Sequence, residues 1–193
     1  MRLLAFFLCV IIVSCSFNED TVKSYSLNLD GNIYKLNGEK YTGKVLDAAK
    51  NGRVKKSFRC SEGKIEGEYL EYYNNGSLKI KYTYKNGLLN GVFETYYKNG
   101  VLKTKGFFKN GNKLNIDKNG IPFNGRDNEW LFYSEKGVLE KRQLYRPNSD
   151  IAEGYTYYTS GKIHFKGTFN KRNIDTETWE EYDEFGKLID SYP

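Results

Sequence analysis

The sequence predicts an all-β chain: an elongated antiparallel β-meander of about six repeated hairpins, preceded by a signal peptide. Three observations carry this. The segment Gly67-Glu68-Tyr69-Leu70-Glu71-Tyr72-Tyr73-Asn74-Asn75-Gly76-Ser77-Leu78-Lys79 returns 24 residues later as Gly91-Val92-Phe93-Glu94-Thr95-Tyr96-Tyr97-Lys98-Asn99-Gly100-Val101-Leu102-Lys103. Aromatic residues make up 16% of the chain against only 3 prolines, a composition that suits strands and not disorder. No stretch after the first residues has a convincing helical period; a single turn is conceivable only in the polar tether and at Leu46 to Lys50.

Residues 1–14 read as a lipoprotein signal peptide. Arg2 is a short charged start, and Leu3 to Val13 is an apolar run too short for a spanning helix of about 20 residues. It ends in Ile12-Val13-Ser14-Cys15, which resembles a bacterial lipobox. That resemblance implies that the Cys15 thiol takes a diacylglyceryl group and that cleavage precedes it. Several acyl tails, at about 0.8 kcal/mol per buried CH₂, make a stable membrane anchor. An ordinary signal peptide with an incidental Cys15 is the alternative. Residues 15–35 then form a tether and lead-in, with Phe17 to Ser26 polar. The implied location is the bacterial cell envelope, with the anchor in the outer membrane and the chain on its periplasmic or surface side.

Residues 36–193 form the repeat domain. Six glycines pace it: Gly52, Gly76, Gly100, Gly137, Gly161 and Gly186. Two residues after each stand Val54, Leu78, Leu102, Leu139, Ile163 and Leu188. Four before each stand Ala48, Tyr72, Tyr96, Tyr133, Tyr157 and Tyr182, and seven before stand Val45, Tyr69, Phe93, Trp130, Gly154 and Trp179. Asn-Gly pairs predict two-residue type I′ turns, which need positive φ at both central residues. On that register Tyr73 faces Leu78 and Tyr72 faces Lys79, while Ser134 and Asp183 open turns one residue longer. The 37-residue gap between Gly100 and Gly137 holds an insertion near Gly111 to Gly125. Its segment Asn119 to Gly125 echoes Asn37 to Gly43, so the chain is either two blocks of three hairpins, 36–110 and 119–193, or one array interrupted by a loop.

Tyr-Tyr-x-Asn-Gly-x-Leu-Lys, followed by an aromatic residue and Asn-Gly-x-x-x-Gly, resembles the bacterial variant of the MORN repeat. Proteins of this kind are often labelled YwqK-family antitoxins, and many resemble lipoproteins. The resemblance implies an elongated β-meander and no catalytic residues. An exported, lipidated chain conflicts with a cytoplasmic antitoxin role.

The composition bounds the chemistry. If Cys9 is removed and Cys15 lipidated, Cys60 is left without a disulfide partner. With His164 the lone histidine, a zinc site of the usual Cys/His kind is excluded. His164 has no nucleophile or carboxylate at recognisable spacing, so no enzyme, cofactor or metal is expected. The acidic group Asp175, Glu177, Glu180, Glu181, Asp183 and Glu184 has no calcium-loop spacing and reads as a solvated face. Lys23 to Lys118 holds 19 Lys+Arg against 9 Asp+Glu, whereas Asn119 to Pro193 holds 10 against 13. The candidate binding face is therefore basic and aromatic: Lys55, Tyr72, Lys79, Lys81, Tyr96, Lys103 and Lys105. Rows of ammonium groups beside tyrosines fit an anionic surface or an acidic protein; the same rows would also serve simply to solubilise a sheet. The expected partners are a membrane, through the lipid, and a protein; nucleic acid is not expected. The expected function is a non-enzymatic interaction module, with a toxin-neutralising antitoxin or immunity-type protein as the alternative.

Overall fold

A computed structural model describes residues 21–113, 115–117, 119–147, 149–171 and 176–192. The signal segment and Cys15 lie outside them. Six hairpins follow one another: β5 (Gly43–Ala48) with β6 (Val54–Ser61), β7 (Lys64–Tyr72) with β8 (Leu78–Lys85), and β9 (Leu88–Tyr96) with β10 (Leu102–Gly111). Then come β11 (Arg126–Tyr133) with β12 (Leu139–Tyr145), β13 (Ile151–Tyr157) with β14 (Ile163–Asn170), and β15 (Thr176–Tyr182) with β16 (Leu188–Tyr192). They form one antiparallel meander in chain order, so the all-β expectation holds. Strand β1 (Thr21–Val22) adds to its first edge, parallel to β5.

Residues 21–35, expected as tether and lead-in, are structured. After β1 comes a 3₁₀ turn at Ser24–Ser26, then β2 (Asn28–Asp30) and β3 (Ile33–Leu36), which pair with β4 (Glu39–Lys40) as a separate small sheet. Val22, Leu27, Tyr34 and Leu36 pack on the core, and this apolar content is what a polar tether lacks. Leu46 to Lys50, the other helical candidate, is instead the end of β5 and its turn.

The turns at the six pacing glycines differ from the expected type I′. In each, the residue three before glycine accepts from the glycine N–H and donates to the carbonyl of the residue after it, as Tyr73 does with Gly76 and Ser77 at 2.9 Å. This is a three-residue loop: a type I turn, then glycine in the left-handed region, with a bulge. Gly76 has φ 91° while Asn75 is not left-handed. Asparagine is there for another reason: its Oδ1 accepts the N–H two residues on, Ser77 for Asn75 and Val101 for Asn99. Where asparagine is missing, the first turn residue substitutes: Ser134 Oγ accepts from Val138 N, and Asp183 Oδ1 from Lys187 N. Those two turns are therefore no longer than the rest. The bulge puts Tyr72 opposite Leu78, and Glu71 opposite Ile80. Type I′ turns occupy the opposite margin, at Glu62-Gly63 (φ 50° and 76°) and Asn86-Gly87 (φ 52° and 80°).

One face of the sheet carries the core: Val45, Phe58, Tyr69, Tyr82, Tyr84, Phe93, Phe108, Trp130, Tyr145 and Phe169 are all buried. Their rings touch in series from Tyr34 to Phe169, with centroid separations of 5.0 to 6.4 Å. Fully burying such a side chain is worth roughly 1.5–3 kcal/mol. Glycine at 106 lets this happen: a Cβ there would lie 2.3 Å from the Trp130 ring. The insertion between β10 and β11 folds back over this face and brings Ile121 and Pro122 into the core.

Candidate functional site

The opposite face carries the residues singled out from sequence. Lys55, Lys79 and Lys103 are exposed at the bulges of the first three hairpins, one per hairpin. Among the described residues, none of the three has a carboxylate within ion-pair distance. Lys103 lies 5.4 Å over the Tyr97 ring. Tyr72 and Tyr96 are half-buried beside this row.

The next row behaves differently. Lys81 Nζ pairs with Glu68 at 2.6 Å, and that hydrogen bond, with nearby Glu94, raises the lysine's pKa. Lys105 is exposed and stands opposite Glu94 across the ladder. Glu94 also accepts from Tyr96 Oη at 2.8 Å; desolvation first, then this bond, pushes the Tyr96 phenol up to about 12. The motif extends into the later hairpins, where Arg142 meets Glu129 at 2.6 Å and Lys166 meets Glu180 at 3.4 Å. Glu68 and Glu94, which the strand alternation already places on this face, thus act as partners within it. Their role follows from register, which spacing along the chain does not reveal.

One tyrosine column ties the hairpins together. Tyr73 Oη donates to Tyr96 O at 2.8 Å, Tyr97 Oη to Tyr133 O at 2.7 Å, and Tyr158 Oη to Tyr182 O at 2.8 Å. At the loops, Arg53 reaches Asn74 O, Asn75 reaches Lys98 O, and Asn99 reaches Glu135 O. The insertion leaves this margin unbroken, because it leaves the sheet on the type I′ side.

The core face also holds cations that were not singled out from sequence, Arg126 and Lys113 foremost. Arg126 is buried over Trp130, with its carbon 4.7 Å from the ring centroid. It donates to Pro122 O, Ile121 O, Tyr145 Oη and Asp117, the last at 2.7 Å. Lys113, from the insertion, places Nζ 4.6, 4.8 and 5.5 Å from the centroids of Tyr69, Tyr82 and Tyr84.

The remaining candidates resolve into structure. His164 packs against Tyr158 and Phe165, with Nε2 3.4 Å from Glu181. The acidic group is dispersed: Glu180 accepts from Tyr182 Oη, Glu181 meets His164, and Asp183 closes its turn, while Asp175 lies outside the described residues. Among the described residues, no group of three His, Cys, Asp or Glu is placed to hold a metal, and no helix is long and apolar enough to cross a membrane. Burial pushes the Cys60 thiol up to about 11, so it is a packing residue and a poor nucleophile.

No curated protein matches the chain. Segments 65–86, 89–110 and 152–171 do match a known unit, and they coincide with the second, third and fifth hairpins. In those three places the chain carries the MORN repeat variant, a non-catalytic repeat module.

Proposed function

We propose that this protein is a non-enzymatic, lipid-anchored lipoprotein of the cell envelope whose outer sheet face docks an acidic protein surface. The observation that carries the reading is the Lys55, Lys79 and Lys103 row. It is exposed, recurs once per hairpin, and has no carboxylate within ion-pair distance among the described residues, whereas in the adjacent row Lys81 is paired with Glu68 and Arg142 with Glu129. Tyr72 and Tyr96 add contact area at low entropy cost. Long repeated sheets suit such extended contacts. The anchor is Cys15, whose Ile-Val-Ser-Cys setting resembles a lipobox.

A crosslinking pull-down from intact cells tests the docking face. Wild type should capture a partner that the Lys55/Lys79/Lys103→Glu variant loses. Equal capture by both overturns the basic face, and retention of the variant's loss on phosphatidylglycerol vesicles alone reassigns the partner to lipid. A captured toxin that the chain inhibits would make it an antitoxin or immunity-type protein. Labelling with an alkyne fatty acid tests the anchor: label should appear on wild type and vanish in Cys15→Ala.

A further inference from the structure

Several cations lie over the rings of the core face, Lys56 over Phe58 and Lys171 over Tyr145 among them, and two, Arg126 and Lys113, are held very differently. Arg126 is locked: four acceptors take its N–H groups, and Asp117 balances its charge. Lys113 is not. Among the described residues no acceptor takes a hydrogen bond from its ammonium and no carboxylate pairs with it. It meets only the π faces of three tyrosines.

Those tyrosines form a cage. The centroids of Tyr69, Tyr82 and Tyr84 stand 6.1 Å from one another in all three pairs, with interplanar angles of 66°, 59° and 56°. Cross-strand pairing sets the arrangement: Tyr69 opposes Tyr82, and Tyr84 is two residues further along the same strand. All three rings are buried. Tyr69 Oη is turned aside to Glu71 at 2.7 Å, and Tyr84 Oη is buried with no partner among the described residues. The ring faces are what the cage offers. Lys113 as a residue remains exposed, so it enters from the solvent side while only its ammonium is desolvated. That desolvation draws its pKa below the ordinary lysine value, against the pull of Glu71.

We propose that Tyr69, Tyr82 and Tyr84 form a binding cage for a quaternary ammonium group, kept shut in cis by Lys113. A primary ammonium brings three N–H donors that the cage cannot match, and it is strongly hydrated. A tetraalkylammonium has no N–H to satisfy, sheds water more readily, and gains the same attraction from three ring faces. Lys113 is therefore an imperfect occupant, held by its covalent attachment. The ligand chemistry is a trimethylammonium group, free in solution or as a lipid headgroup.

The test titrates tetramethylammonium chloride into the full chain, followed by calorimetry and by tyrosine ring resonances. Lys113→Ala should bind saturably and at least tenfold more tightly than wild type. Tetramethylammonium should outbind methylammonium several-fold, and Tyr82→Leu in the Lys113→Ala background should abolish binding. Lys113→Met keeps the stem without the charge; it replaces the alanine variant should that one lose its far-ultraviolet β signal. No saturable binding by either folded variant overturns the proposal, as does binding that survives Tyr82→Leu or shows no preference over methylammonium. Phosphatidylcholine vesicles and free choline separate the two sources. Association with the vesicles in preference to phosphatidylglycerol assigns the lipid headgroup, and binding of choline alone assigns a soluble ligand.

Discussion

In the second hairpin the residues facing each other at mid-strand on the core side are Tyr69 and Tyr82; in the fifth they are Gly154 and Gly167. The first three hairpins are also covered. The small sheet clamps the Glu62-Gly63 turn, with Tyr34 N donating to Gly63 O at 2.7 Å and Gly63 N to Tyr41 O at 2.8 Å. The insertion lays Lys113 over the tyrosines. The last three hairpins end instead in β16, whose five residues are all exposed, with Phe185 89% and Ile189 59% exposed beside and within it. One repeat plan thus yields a filled, capped half and a hollow, open one. The repeat sets where strands turn and pair; stability depends on what is laid on the core face.

Alkali should expose this difference most. Burial first raises the phenols of Tyr69, Tyr82 and Tyr84, with Tyr82 reaching about 12. The folded state keeps these protons more tightly than the unfolded one. The stability they supply is present below pH 10 and is lost as pH rises through the folded values. Their phenolate absorbance should therefore appear together with loss of β-structure, between about pH 10 and 12 for Tyr82. Phenolate appearing in the folded chain near pH 10 would remove the contrast. Next, Phe93→Ala, in the third hairpin, should cost about 3–5 kcal/mol in denaturant, and Trp179→Ala, half-buried in the open half, clearly less. Equal costs would mean the halves are equally packed.

Arg126→Met strands Asp117 at the junction and should cost about 3 kcal/mol, partly recovered by adding Asp117→Leu. The glycine pair offers a finer test. Gly167→Ala pushes a Cβ to 2.2 Å from Thr178 O and should destabilise by about 1–3 kcal/mol. Gly154→Ala meets only the Phe169 ring at 3.4 Å and should stabilise by about 0.5 kcal/mol. The smallest effect belongs to Lys81→Ala, under about 1 kcal/mol because its partner Glu68 is half in solvent. Thermal melts resolve both.

Much of this fold is legible in the sequence, because its rules are local. Glycine pacing gave the six hairpins, and the columns at Tyr69, Phe93 and Trp130 gave the core face. The turn type was misread: Asn75 and Asn99 serve as side-chain acceptors, a role that an Asn-Gly pair does not distinguish from positive φ. The basic row was visible in Lys55, Lys79 and Lys103. Lys81 and Glu68 were legible as members of the same face, but not as a pair, because they meet diagonally across the ladder. Lys113 and Arg126 could not be read at all. Their partners are set by how the insertion folds back over the core face, and the 24-residue period does not encode that.

The hydrogen bonds from Tyr73, Tyr97 and Tyr158 each span just one interval between loops, and so do those from Arg53, Asn75 and Asn99. Such a seam has no preferred length. A further 24-residue unit spliced in at the Asn86-Gly87 junction would find the same carbonyls on either side, and the ribbon would grow by one rung with neither end disturbed.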